Sequence, residues 1–164
     1  MTEPVSVSRW IGAPAAEVFA ILADPASHPL IDGSGMVREA TGHDPVSGVG
    51  ATFGMRMHND EMGDYEMLNY VVEYERDRRI GWEPVLAEAG RPEDEAAVGD
   101  RAGHRWRYQL TPDGRGTVVT EIYDCAQAPD WLKKAIRDGE RWRASMTRTL
   151  DNLDRLVTGS RPGA

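Results

Sequence analysis

The residue types of a hydrolytic triad fall close together once in this chain, at His28, Asp32 and Ser34. A triad needs a nucleophile raised on a sharp elbow with a base in reach. Here the aspartate and serine stand two apart in Asp32-Gly33-Ser34-Gly35, where side chains of these types hydrogen-bond to nearby backbone and close a turn. The turn reading therefore displaces the triad. His28, His43, His58 and His104 are scattered, with no His-x-x-x-His or Cys-x-x-Cys spacing, so no metal is expected. Neither a Gly-x-Gly-x-x-Gly string nor a Walker sequence occurs, and no cofactor is expected. Cys125 is the single cysteine, and without a neighbouring histidine signature it reads as a small buried hydrophobe.

What remains for chemistry is acid and base groups on strands, and these need a scaffold. A length of 164 residues suits one domain with a core sufficient without metals or disulfides. We expect that domain at residues 1–158, followed by a flexible tail at 159–164. Twenty-seven acidic against 19 basic residues give a net charge of −8, which disfavours nucleic acid and anionic lipid as partners. There is no apolar run long enough to span a bilayer and no secretory leader pattern at residues 1–9, so no membrane insertion and a cytoplasmic location are expected. The sequence leaves the oligomeric state open.

Val5, Val7, Arg9 and Ile11 alternate with Ser6, Ser8 and Trp10, the period of two of a strand. Short helices are predicted over Ala15 to Ala23 and Ala26 to Leu30, the first with Pro14 at its start. Strands follow at Met36 to Thr41, Ala51 to His58, and Tyr65 to Glu75. The last sets Met67, Asn69 and Val71 on one side and Leu68, Tyr70, Val72 and Tyr74 on the other. A further strand starts at Ile80. Pro84 to Gly103 is acidic and rich in glycine and proline, a stretch long enough for a lid, a binding loop or disorder. His104, Trp106, Tyr108 and Leu110 then alternate with Arg105, Arg107 and Gln109, and Thr117 to Cys125 returns after the turn Pro112 to Gly116. Last, Leu132, Ala135, Ile136, Gly139, Trp142, Met146, Leu150, Leu153 and Val157 share one face of a single helix over Asp130 to Val157. Gly139 interrupts that stripe, so either a sheet approaches closely there or a space is left open.

This order indicates an α+β domain in which an antiparallel sheet covers a helix. Local strings point the same way: Val7-Ser8-Arg9 through Ile11-Gly12-Ala13-Pro14, Glu17-Val18-Phe19, Ile31-Asp32-Gly33-Ser34-Gly35, Ile80-Gly81-Trp82, and Gly116-Thr117 through Tyr123-Asp124. Together these resemble the helix-grip superfamily of START lipid-transfer domains, birch pollen allergens and bacterial polyketide cyclase or dehydrase-like proteins, over about residues 4 to 157. The resemblance implies a curved antiparallel sheet of six to seven strands around a long C-terminal helix, with two short helices after strand one. It also implies which sheet face looks at the helix: Val7, Arg9, Ile11, Phe53, Met55, Met57, Met67, Asn69, Val71, Ile80, Trp82, Trp106, Tyr108, Val119, Glu121 and Tyr123.

A mostly apolar lining with few polar groups suits a hydrophobic small-molecule ligand. The expected ligand-binding set is Phe53, Met55, Met57, Met67, Asn69, Trp82, Trp106, Tyr108, Glu121 and Tyr123, with Ile136, Gly139 and Arg143 from the helix. An inward Glu121 and an inward Arg143 would pair with each other or with Arg9, or else would hold the polar end of a ligand together with Asn69 and Tyr108. The resemblance leaves two functions open besides an interaction domain. One is a carrier of a lipid or polycyclic molecule. The other is a cofactor-independent cyclase or dehydratase, with Glu121, Tyr108 or His104 as catalytic candidates moving a proton.

Overall fold

The computed structural model describes residues 3–61, 63–87 and 103–159. Where the sequence alternates, strands form: β1 (Val5–Ile11), β2 (Val37–Ala40), β3 (Thr52–Asn59), β4 (Gly63–Glu75), β5 (Arg79–Leu86), β6 (Arg105–Asp113) and β7 (Gly116–Asp124). They make one seven-stranded sheet in the order β1-β7-β6-β5-β4-β3-β2, antiparallel at every pairing. Between β1 and β2 run α1 (Ala15–Leu22), a 3-10 turn at Pro25–Ser27, and α2 (His28–Ile31). The Asp24 carboxylate accepts a hydrogen bond from the Ala26 N–H at 3.1 Å and caps that turn. α1 buries Val18, Phe19 and Leu22.

Directly opposed residues of an antiparallel pair share a face, so the register defines the inner surface. Val7, Glu121, Tyr108 and Ile80 form one row, and Val5, Tyr123, Trp106 and Trp82 the next. In β4 the pairing with β5 shifts between Val71 and Glu73. This bulge swaps the faces beyond it. Tyr74 consequently joins the row of Ile80 and meets Phe19 edge-on at 5.4 Å, whereas alternation alone puts it on the opposite side.

β5 is longer than the sequence suggests, because Pro84 to Leu86 continue the strand against β4. Its ladder with β6 stops at Trp82 opposite Trp106. Proline has no N–H to donate, and Pro84 sits where β5 has lost that second neighbour. The acidic stretch at 88–102 and the tail at 160–164 lie outside the described residues.

The expected single C-terminal helix is two: α3 (Asp130–Ile136) and α4 (Glu140–Thr158). Arg137 and Gly139 have positive φ, 56° and 78°, and Gly139 is left-handed, which ends one helix and starts another. Gly139 is therefore a junction and not a helix interior. A Cβ added to it would lie 2.7 Å from Cγ2 of Val5 in β1, so its bareness admits a close strand and leaves no open space. α4 buries Met146, Thr149, Leu150 and Leu153.

The α2–β2 turn is fastened to α4. Thr149 Oγ1 accepts from the Gly33 N–H at 2.9 Å, Arg148 Nε donates to the Gly33 carbonyl at 2.9 Å, and Asn152 Nδ2 donates to the Ile31 carbonyl at 3.1 Å. A Cβ on Gly33 would stand 2.6 Å from Arg148 Cβ and 2.7 Å from the Thr149 backbone nitrogen. Helix backbone cannot step aside cheaply. Gly33→Ala is expected to lower stability by about 1–3 kcal/mol in urea unfolding, and an unchanged midpoint would show that turn and helix are not in contact.

The buried residues form two clusters. One joins Ile11, Val18, Leu22, Phe53, Ile80, Trp82, Tyr108, Leu150 and Leu153 among others, and the second joins Val5, Tyr123, Cys125, Ala128, Ile136 and Met146. Val7 and Trp106 are packed against both. Among the described residues no helix is long and apolar enough to cross a membrane.

Candidate functional site

Glu121 lies at the boundary between the two clusters. Along β7 its inward neighbours are Val119, in the first cluster, and Tyr123, in the second. It is 3% exposed, and its row partner Tyr108 is 5% exposed. Tyr108 Oη donates to Glu121 Oε1 at 3.0 Å. Oε2, fully buried, has no partner, the one such side-chain atom among the described residues. Burial pushes the Glu121 carboxyl up to about 8, the charge of Asp32 adds to the rise, and the Tyr108 hydrogen bond opposes it. Glu121 thus stands protonated at neutral pH, and burial raises the Tyr108 hydroxyl well above its ordinary value.

Because that hydrogen bond favours the charged carboxylate, Tyr108→Phe is expected to move the Glu121 midpoint higher than about 8. Carbon-13 NMR of the side-chain carboxyl reads this directly, and a lower midpoint would contradict the assignment.

An aromatic group adjoins Tyr108. Trp82 lies 5.8 Å from Tyr108, meets Phe53 edge-on at 5.3 Å, and stacks on His28 at 5.1 Å. His28 Nε2 donates to the Leu22 carbonyl at 2.8 Å, and burial lowers its pKa, so it packs here as a neutral ring. In the sequence His28 stands out only as a member of the discarded triad. Only the α1–α2 path, which local pattern does not reveal, carries it over the sheet. Asp32 accepts from the Ser34 hydroxyl and from the Ser34 and Val37 N–H groups, which is the turn and not a triad.

On the second cluster's side, Tyr123 packs on Trp106 at 4.5 Å and Trp142 at 5.8 Å, and its hydroxyl is hydrogen-bonded to His104 Nδ1 at 2.7 Å. Burial lowers the His104 pKa, partly offset by the Glu83 charge. Met55 and Asn69 are buried, while Met57 and Met67 are half-buried on the same face. Asn69 Nδ2 donates to the Phe53 carbonyl at 3.4 Å.

Two expectations for polar partners fail. Arg143 is exposed, donates to the Ser6 carbonyl at 3.0 Å and lies 3.6 Å from Glu140. It does not meet Glu121, because the break at Arg137 to Gly139 resets the helical phase. Arg9, also exposed, pairs with Asp154 at 2.8 Å and Asp151 at 3.4 Å on the flank of α4. Ile136 and Gly139 are buried but belong to the packing of the α3–α4 junction on β1. A separate cleft of about 380 Å³, lined by Arg38, Glu39, Arg56, Met57, Asp64, Tyr65 and Glu66, opens at the β2–β4 edge. No group of three potential metal ligands occurs among the described residues.

This arrangement places a carboxyl pushed up to about 8 beside Tyr108, where the two apolar clusters meet. Comparison with known proteins is informative about lineage. A family model described as "Polyketide cyclase / dehydrase and lipid transport" matches residues 3–158. The uncharacterised protein Rv0088 of Mycobacterium tuberculosis is 33% identical over 123 residues, 73% of this chain and 46% of that protein. The chain thus spans about half the length of the curated relatives it matches. Protein CV1439 of Chromobacterium violaceum superposes with a TM-score of 0.68 at 20% identity, covering 96% of this chain and 98% of that one. Protein Ms6760 of Mycobacterium smegmatis gives 0.69 at 16% identity, covering 96% and 92%. At these identities the solved structures establish the shared fold.

Proposed function

Because this chain belongs to the polyketide cyclase/dehydrase and lipid transport family, we propose that it binds a hydrophobic, ring-containing small molecule between its sheet and C-terminal helices. The observation that supports this most is Glu121. An apolar interior has no use for a buried carboxyl with an unpaired oxygen, which costs about 1–3 kcal/mol or more, unless a ligand supplies the missing partner. Half-buried Met57, Met67 and Trp106 on the same face offer adaptable and flat surfaces for such a guest. The family's description names polyketide cyclase, dehydrase and lipid transport, in keeping with that lining.

Native mass spectrometry of the protein taken gently from its producing cell tests the proposal. We expect a second species heavier by the mass of one small organic molecule, lost on denaturation. A clean mass of the bare chain under the same handling would count against a carrier.

A second reading is favoured by the same residue. Glu121, titrating at about 8 beside Tyr108, has the pKa of a general acid or base at neutral pH. In a cyclase its ionised form, the minority at neutral pH and the majority above about 8, would take the proton from the carbon between two ketones. As that carbon attacks a further carbonyl, the proton would pass to the new alkoxide, and loss of water would complete the ring. Glu121→Gln should then abolish turnover of a polyketone while leaving the fold intact, and undiminished turnover would remove Glu121 from the reaction.

A further inference from the structure

We propose that His104 and Tyr123 form an acid-released latch: the buried phenol donates its proton to the neutral imidazole, and protonation of that imidazole strips the phenol of its acceptor and frees α3 and the first turn of α4 from the sheet. The latch is independent of what the interior binds.

Donors and acceptors set the direction of the bond. Tyr123 is 1% exposed, and its oxygen lies 2.7 Å from His104 Nδ1. The Trp142 indole, which can only donate, bonds to the same oxygen. The phenol proton therefore has Nδ1 as its acceptor, and His104 is the tautomer that carries its own proton on Nε2. An added proton goes to Nδ1 and turns that nitrogen into a second donor facing an oxygen whose own proton then has no partner. A buried donor left unpaired is costly. Position gives the bond its reach. Tyr123 packs with Val5, Ile136 and Met146 and against Leu132 and Trp142, so its ring sits beneath α3 and the start of α4. Next to His104, Gly103 has φ of 72°, and a Cβ there would stand 2.7 Å from the Gln127 carbonyl carbon, which pins the start of β6 to the loop entering α3. The ionisable groups around the pair are Glu83 of β5, held by Arg105 of β6 at 2.8 Å, Asp124 and Cys125 of β7, and Lys133 of α3. Of these, Glu83 acts on the imidazole and favours its protonation, but burial outweighs it and holds the His104 pKa below the ordinary value of 6.5.

Amide hydrogen exchange on the full chain, read by NMR at about pH 7.5 and about pH 5.5 and corrected for intrinsic exchange, tests the latch. An open form whose imidazole has its ordinary value of 6.5 takes up the proton that the closed form resists, so opening grows by up to about tenfold per pH unit below that value. Protection of α3 and the first turn of α4 should therefore fall about tenfold relative to β3 and β4 between the two conditions. Tyr123→Phe, which keeps the ring and removes the proton, and His104→Gln, which accepts from the phenol and does not titrate, should each lose most of that step. No step in the wild type, or a step of undiminished size in either variant, would overturn the latch. The wild-type imidazole gives a reading that needs no variant. Its nitrogen-15 shifts at neutral pH should show the proton on Nε2, and a proton on Nδ1 would overturn the latch as well.

Discussion

Glu121→Gln is expected to melt at a higher temperature than the wild type at pH 9 and at nearly the same temperature at pH 5. The reason is linkage. The Glu121 carboxyl has a folded-state pKa of about 8 against an ordinary value near 4.5, so between these limits the folded protein holds a proton that the unfolded chain has released. Stability then falls as pH rises, by 2.303RT per pH unit for one proton. The favourable contribution is fully present below the unfolded pKa, drains away through the window from about 4.5 to about 8, and is gone above it. For a group 3% exposed the accumulated loss is on the order of a few kcal/mol. Glutamine has the same shape, accepts from Tyr108 and never ionises, so its advantage grows across that window and then levels off. Thermal melts of both proteins from pH 5 to pH 9 check this. A difference that stays constant with pH would mean that Glu121 is ionised and solvated in the folded state.

Gly139→Ala is the second large effect, and its sign discriminates between two structures. In a continuous helix, replacing glycine by alanine stabilises by roughly 1 kcal/mol. At the observed junction the residue holds φ of 78°, which costs an L side chain about 1–2 kcal/mol. The new Cβ also meets Val5 Cγ2 at 2.7 Å, adding about 1–3 kcal/mol of overpacking. We expect a fall in melting temperature of about 4–15 °C for a domain of this size. In a Val5→Ala background the overpacking term is relieved and only the backbone term remains, so the loss shrinks. Denaturant titrations of the four proteins in this cycle give the coupling. A stabilising Gly139→Ala would restore the single long helix.

Strand faces were readable from the sequence where one side of a strand is buried, because alternation and burial there carry the same information. Val119, Glu121 and Tyr123, and likewise Trp106 and Tyr108, fall on the face that the period of two assigns them. Tyr74 did not, since a bulge between Val71 and Glu73 leaves no mark in residue type. The α3–α4 break was hidden for a related reason. Ile136, Met146, Leu150 and Leu153 are buried on both sides of it, so the helical stripe runs through unbroken while the backbone does not. Arg143, placed by that same stripe, was carried outward by the reset phase. The partners of Glu121 needed the tertiary structure. Tyr108 is its neighbour only through the β6–β7 register, and His28 reaches the Trp82 ring through the path of α1 and α2.

The most direct test of the account is methionine methyl NMR during titration with a polycyclic phenol. Met55 and Met67 are cross-strand partners, and Met57 follows on the same inner face. A guest between sheet and helices should shift these three methyl signals together and saturably, with Glu121→Leu weakening the titration. Saturable binding that leaves all three unmoved, or no response up to the solubility limit of the phenol, would contradict the claim that this interior is a ligand site.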